Sequence, residues 1–480
     1  MENGGDSSRD IPVVPGRRPG RVAAGWQVIT GQGARGGAVA AADQAVLSLT
    51  NFLAALLLGR QVEPMEFGVY AVGYLGLHLA RAVQEGLLIQ PLSSLAPGMQ
   101  AQDFRRHVSG AAVLQLAAAA ASSAFAVVLG TVLTRTGNDV AGPTVFSLWF
   151  VLLTWQPQEF LRRVFYARGQ VHAALANSVL ASVVRLAVLV GFLRAGALEG
   201  EAGLHAIGWG ALAGLAVGLV QTRDIWAVSG VSVRRVWREQ WALGRWVMAA
   251  TVGNWLTLEV YPLLTAALVS FAAAGAYRAL QTIVAPVHAF LRTVDTFFTP
   301  RMALRFDRAG RWAVARQLRL LYLVGGIPIA LGLGLVAFEP ERALQLFYGR
   351  IYAAYPRELV WMTVFYGLWF AYAPLQIALK AVRRTRPIFV ANTAALALML
   401  TVGVAAIRAW GVLGTVAGQA LGAMVVGILL AIGWRAWLRE GPVKPASSAA
   451  ASGARSAEPG RPSPGASEAR TPGETQSPAT

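Results

Sequence analysis

Arginine, histidine and carboxylate side chains sit poorly in runs of leucine and alanine, yet this chain places several there. Asp43, Arg81, Glu85, Arg185, Glu259, Arg278, His288, Arg292 and Asp295 all fall inside otherwise apolar stretches. An ionisable group at the centre of a bilayer costs at least about 2.5–3.5 kcal/mol on insertion scales, so it is expected to face a cavity or a charge partner. The chemistry these residues offer is charge recognition. Arg81, Arg278, His288 and Arg292 can present positive charge to a substrate, and the arginine fork makes two parallel bonds to phosphate oxygens. Asp43, Glu85 and Glu259 can hold those arginines when the site is empty, or bind a coupling cation, H+ or Na+. Structural ion pairs between helices are the alternative for all of them. For His288 an ordinary buried histidine is the alternative, and for Arg292 and Asp295 it is snorkelling to the interface.

Other chemistries lack their residues. The chain has no cysteine, which excludes disulfides, thiolate nucleophiles and cysteine metal sites. No glycine-rich phosphate loop followed by Lys-Ser or Lys-Thr occurs. The five histidines are scattered without metal-ligand spacing, and no Asp-x-Asp pair occurs for a metal-dependent glycosyltransferase. The expectation is a protein that is not an enzyme and carries no metal or other cofactor. Any work it does would draw on an ion gradient, the membrane potential or consumption of its product. The net charge of +18 does not point to nucleic acid, because it is concentrated in short loops without interleaved aromatics.

The elements that must position these charges are membrane helices. The chain is 55% hydrophobic and 14% charged, with a mean hydropathy of +0.50, against about 25% charged residues in soluble domains. Twelve segments are each long and apolar enough to cross a bilayer: Gly37–Leu58, Phe67–Leu92, Val108–Thr134, Pro143–Phe165, Val171–Leu193, Gly203–Val220, Trp246–Ser270, Ala274–Phe298, Leu320–Phe338, Leu359–Leu379, Ile388–Ile407 and Gly411–Ile432. One alternate set of connections holds most of the basic residues, among them Arg105, Arg106, Arg162, Arg163, Arg168, Arg234, Arg235 and the run Arg301 to Arg319. The other set holds Arg60, Arg135, Arg194, Arg342, Arg350, Arg357 and Arg408. The arginine-rich side is expected to be cytoplasmic, with both termini on it, in the cell membrane. No cleavable signal peptide is visible. The expected organisation is a cytoplasmic tail (1–36), an N-lobe (37–222), an inter-lobe linker (223–245), a C-lobe (246–440) and a second tail (441–480). Both tails are polar and poor in large apolar residues, and so are expected to be disordered.

The two halves repeat. Gly68 and Tyr70 recur as Gly275 and Tyr277, Arg168 and Asn177 as Arg383 and Asn392, and Gly210 and Gly214 as Gly418 and Gly422, all at nearly one offset. Six crossings per half make the repeat parallel, about an axis along the membrane normal. The fold class is therefore an all-α polytopic membrane protein: twelve transmembrane helices in two six-helix lobes enclosing a cleft. The same offset carries Arg81 onto His288 and Glu85 onto Arg292. With straight helices, Asp43 and Arg81 each lie about 9 Å from the cytoplasmic side, so they are expected to pair. Glu259 and Arg278 share a depth and are likewise expected to pair. Pro157 and Pro374 fall late in corresponding helices, as hinges or ordinary kinks.

The stretch Asp43 to Leu92 also resembles a known family. Asp43-Gln44, Asn51-Phe52, Glu66-Phe67-Gly68 and Arg81-x-x-x-Glu85-Gly86, with Pro91 closing the helix, are similar to the opening of Wzx-like O-antigen and exopolysaccharide flippases. These belong to the multidrug/oligosaccharidyl-lipid/polysaccharide (MOP) superfamily, whose cousins are lipid II flippases and multidrug (MATE) antiporters. The rest of the chain matches in hydropathy and span count. The resemblance implies inward/outward alternation of two lobes and a polyprenyl-diphosphate-linked glycan as cargo. Membrane lipids, and a polysaccharide polymerase or glycosyltransferases, would then be its partners. The competing expectations are a cation-coupled drug antiporter, which would want an acidic lumen, a membrane polymerase or ligase, and a non-transporting scaffold for polysaccharide synthesis.

Overall fold

The computed structural model describes residues 32–96, 99–227, 229–382 and 384–439. Among them there is helix and no strand. The first six helices are α1 (Gln32–Gln61), α2 (Pro64–Gln84, continued through a π-turn Glu85–Ile89 into Gln90–Leu95), α3 (Ala101–Arg135), α4 (Ala141–Ala167), α5 (Val171–Arg194) and α6 (Gly200–Gln221). α7 is Val233–Leu268. The run Phe271–Phe338 breaks at Gly310 (φ 71°) into α8 (271–309) and α9 (311–338). A short α10 (Pro340–Tyr348) precedes α11 (Pro356–Ala381). α12 (Arg386–Leu398) runs on through the π-turn Met399–Gly403 to Gly411 (φ 58°), where α13 (412–439) begins. At both glycines the left-handed backbone needs the missing Cβ.

Each of the twelve apolar segments lies on these helices, apart from the last residues of the seventh and the first of the twelfth. Among the described residues, seven helical stretches are long and apolar enough to cross a membrane by length and composition: α1, α3, α5, α6, α9, α11 and the continuous α12–α13. This is a multi-pass membrane protein. Among the helices outside that set, α2, α4, α7 and α8 carry most of the charged residues of the apolar segments. α4 buries Gln156, Gln158, Glu159 and Arg162, as expected for inner helices whose polar groups face one another. Residues 1–31 and 440–480, which hold most of the two expected tails, lie outside the described residues, as do Arg383 and the side chains of Arg292 and Asp295.

α7 joins the halves. Its helix starts within the expected linker, and its first half is fastened to N-lobe helices. His107 Nδ1 lies 3.4 Å from Glu239, and Thr251 donates to the Ala82 carbonyl at 2.7 Å. Pro91 removes the N–H that the Leu87 carbonyl would have met, and the π-turn of α2 sits there. With its amide turned to satisfy both groups, Gln240 donates to Leu87 O at 2.9 Å. Gly86 and Gly244 let the two backbones close, since a Cβ on Gly86 would stand 2.3 Å from Met248 Cα. The second half of α7 belongs to the C-lobe: Thr265 bonds Thr415 at 2.7 Å, and Tyr261 fills the space left by Gly403 and Gly418. Before α7, Arg168 grips Asp224 at 2.6 and 3.2 Å, and these hydrogen bonds hold the Asp224 carboxyl below the usual carboxylate range.

At the end of the bundle opposite the arginine-rich connections, hereafter the outer end, the lobes are shut against each other. Gly68 on α2 faces the Phe271 carbonyl, and Gly275 on α8 faces the Pro64 carbonyl. The reciprocity is that of a pseudo-two-fold axis passing between two residues the repeat makes equivalent. Around this crossing pack Leu58, Phe67, Tyr70, Tyr277, Tyr348 and Tyr352, all fully buried. Arg60 closes the rim: its guanidinium donates to the Leu346 and Phe347 carbonyls at the end of α10, the unsatisfied and electronegative end of a helix. Arg60→Ala is expected to loosen this seal. Because the chain has no native cysteine, a single cysteine replacing the buried Leu58 reports it, and its labelling should rise severalfold in the Arg60→Ala background at unchanged abundance. Equal labelling would mean that Arg60 does not hold the rim.

Candidate functional site

Two helix stripes meet between the lobes. On α2, Tyr74, His78, Arg81 and Glu85 recur at spacings of four, three and four, which puts them on one face. On α8, Arg278, Gln281 and His288 share a face in the same way. Tyr74, His78, Glu259, Pro262, Tyr277, Arg278 and Gln281 wall a cavity of about 20 Å³ between α2, α7 and α8, room for a single water. The bundle is therefore tightly closed here, with its polar groups still facing one another.

Arg278 is the cation of that cavity. It donates from Nη1 to Gln281 at 2.6 Å and lies 5.1 Å from the centre of the Tyr74 ring, a cation–π contact reaching across the lobe boundary. Its Nε is buried without a hydrogen-bond partner among the described residues. The expected Arg278–Glu259 pair does not form. Glu259 Oε1 instead stands 3.5 Å from His78 Nδ1, which reaches it from α2. Sequence reading passed over His78, although its spacing from Tyr74 and Arg81 places it on the same face.

Arg81 lies seven residues along the stripe from Tyr74, about 10 Å towards the arginine-rich end. It is half-buried and takes no hydrogen bond or ion pair from the described residues. His288 holds the equivalent place below Gln281 and meets Trp369 edge-to-face at 4.8 Å between ring centres. The structure thus brings Arg81, Arg278 and His288 to the two facing stripes. Arg292 continues the α8 sequence, but its side chain is outside the described residues.

The carboxylates are organised differently from the sequence expectation. The expected Asp43–Arg81 pair is replaced by Asp43–Arg162. Arg162 Nη1 donates to Asp43 Oδ2 at 2.5 Å, and Tyr166 donates to the same oxygen at 2.5 Å. The Nε and Nη2 of Arg162 grip Glu159 with two bonds of 2.8 Å. Arg163 links Glu159 (2.9 Å) to Glu85 (3.4 Å), and Gln90 donates to the other Glu85 oxygen at 3.0 Å. Asp43, Glu159 and Arg162 are at most 4% exposed. Arg162 and Arg163, counted as orientation signals, are helical residues near the end of α4 that form ion pairs with the acids of α1, α2 and α4. Burial in a low-dielectric interior demands such closure: any one of these charges left alone would be strongly unfavourable.

Two further polar systems lie inside the N-lobe; of their residues only Arg185 is singled out in the sequence as a charge in an apolar stretch. Gln84, Gln115 and Gln156 join α2, α3 and α4 through bonds of 2.7–3.3 Å. Arg185, buried on α5, donates to Asn51 (2.6 Å) and Tyr70 (3.1 Å) and pairs with no described carboxylate. It belongs to the lobe interior and not to the interlobe cavity. Gly210 permits this packing, since a Cβ there would meet the Arg185 side chain at 2.9 Å. The glutamines carry no spacing that marks them out in a single chain, and nothing in the sequence assigns Arg185 its partners.

No protein-family model matches the sequence, and no curated protein matches it. Solved structures do. One is a multidrug-resistance MATE-family transporter of the MOP superfamily in an inward-facing conformation, with TM-score 0.63 and 12% identity, covering 81% of this chain and 93% of that one. Another is the lipid II flippase MurJ in an inward closed conformation, with TM-score 0.60 and 10% identity, covering 81% and 85%. A third is a MOP-superfamily transporter from Pyrococcus furiosus with a binding pocket of reverse polarity, with TM-score 0.57 and 12% identity, covering 83% and 93%. The chain has the all-α, two-lobed MOP fold.

Proposed function

We propose that this protein is a Wzx-like flippase, carrying a polyprenyl-diphosphate-linked oligosaccharide from the inner to the outer leaflet of the cytoplasmic membrane by alternating access. It would make twelve crossings with both termini inside. The observation that carries this reading is the presence of two arginines without a direct ion pair on the interlobe stripes. Among the described residues Arg278 and Arg81 make no ion pair within 4 Å, whereas Asp43, Glu159 and Glu85 are bonded by Arg162 and Arg163, and Glu259 contacts His78. A guanidinium without a direct ion pair in a low-dielectric cleft is costly, and a visiting diphosphate removes that cost through bidentate bonds. The glycan would follow the polar stripes while its lipid tail stays in the bilayer, and a polymerase or glycosyltransferases would act on either side of the step. Asp43 and Glu85, already bonded, then serve the scaffold, and Glu259 with His78 is the place for a coupling proton. The cation-antiporter alternative rests on Glu259 alone, a carboxylate at the cavity that His78 already occupies.

The test is a strain lacking this chain, complemented with wild type, Arg81→Ala or Arg278→Ala, and analysed for lipid-linked intermediates on each leaflet. Loss of one charge-assisted contact to the cargo should slow export about ten- to a hundredfold, with the variant still present in the membrane. Unchanged surface glycan together with altered dye efflux would favour the antiporter.

A further inference from the structure

A second cavity lies away from the interlobe stripes, between the last two helices of the C-lobe. It encloses about 360 Å³ and is walled by Val390, Leu429, Ile432, Ala436 and Trp437, with Arg384 and Arg386 at one side. Among the described residues no carboxylate lines it. Gly433 shapes its floor: a Cβ there would stand 2.8 Å from the Pro387 ring, so the glycine lets α12 and α13 close beneath the groove. Val390 and Ile432 are both exposed, which leaves the apolar wall reachable from the side of the bundle. The polar end is fixed in depth. Arg386 opens α12, and the same level holds the last turns of α13, where Arg435 and Arg439 are exposed. Arg311 donates to the Trp437 and Leu438 carbonyls at 3.2 Å and stacks on Trp437, holding that wall in place.

We propose that this groove binds one anionic glycerophospholipid from the leaflet on the arginine-rich side, with its phosphate at Arg384 and Arg386 and an acyl chain along Val390, Leu429 and Ile432. The chemistry matches on both counts. Two guanidinium groups at headgroup depth select a phosphate with net negative charge, as basic pockets between membrane helices do. The apolar wall gains from each buried methylene, which a free phosphate lacks. The groove shares no residue with the interlobe cavity. The inference therefore rests on the helices spanning a bilayer and not on the identity of the cargo.

Native mass spectrometry of the full-length detergent-solubilised protein, titrated with phosphatidylglycerol or phosphatidylcholine, tests it. Wild type should retain one phosphatidylglycerol about thirtyfold more tightly than phosphatidylcholine, the selectivity two basic groups give at a membrane surface. Arg384→Ala/Arg386→Ala should lose that preference. Arg234→Ala/Arg235→Ala, which removes the same charge elsewhere, should keep it. Ile432→Trp, which fills the groove with the charge intact, should lose the bound lipid while the far-ultraviolet circular dichroism stays helical. Retention of the lipid by both groove variants, or equal binding of phosphatidylcholine, overturns the assignment. Preferential capture of a polyprenyl diphosphate over phosphatidylglycerol also overturns it, by making the groove part of the cargo path.

Discussion

Arg162→Met should destabilise this protein by about 3–5 kcal/mol, the cost of leaving buried charges without their partner. The side chain is 4% exposed and makes three ionic contacts, one to Asp43 and two to Glu159. Methionine fills much of the volume but leaves both carboxylates in the dry interior of α1 and α4. Arg162→Lys should fail nearly as badly, because an ammonium cannot grip Glu159 through two parallel bonds while reaching Asp43. The triple change Arg162→Met/Asp43→Asn/Glu159→Gln should recover most of the loss, since removing a whole buried cluster is far milder than breaking it. Thermal unfolding of the purified variants in detergent reads these differences. If Arg162→Met melts with wild type, the cluster is not the closed network described above.

The second large effect is steric. A Cβ on Gly68 would stand 1.8 Å from the Phe271 carbonyl oxygen, and one on Gly275 would stand 2.1 Å from that of Pro64. Both obstacles are backbone, which cannot swing aside as a side chain tip does. Gly68→Ala should therefore force α2 and α8 apart at the outer end, at a cost of about 1–3 kcal/mol in the closed state. Under the proposed alternation the contact belongs to the state shut at this end, so the cost should appear as a shift in population towards a form open there. A cysteine at Leu58 should become readily labelled, and transport should fall sharply. Gly332→Ala, at a position with nothing within 4 Å, is the matched control and should behave as wild type. A Gly68→Ala protein that labels and transports normally would show that this crossing does not seal the outer end.

The helices were legible in the sequence because a bilayer leaves little choice: about 20 apolar residues must be helical wherever they cross. The repeat was legible through Gly68 and Gly275, whose lack of side chains the lobe crossing requires. The charged positions were legible as exceptions, since Asp43, Glu259 and Arg278 stand out against leucine and alanine. Their partners were not. Depth along a helix gave Asp43 and Arg81 the same level, but pairing also needs the angle around the axis and the neighbour in space. Those come from how α1, α2 and α4 pack, and they bring Arg162 to Asp43. Arg162 was misread for a second reason: near a helix end, an arginine that sets orientation and one that closes a buried network look alike in sequence. His78 and the glutamines of α2, α3 and α4 escaped because neutral polar residues carry a weaker hydropathy penalty and raise no flag.

The central claim is that cations facing the space between the lobes serve an anionic, lipid-linked cargo. Its most direct measurement is translocation by the purified protein in vesicles, comparing a fluorescent polyprenyl-diphosphate oligosaccharide with a cationic dye. The account predicts protein-dependent movement of the glycan across the bilayer, lost when Arg278 becomes Gln, with the dye left where it started. Movement of the dye while the glycan stays in place, or glycan movement indifferent to Arg278, would contradict it.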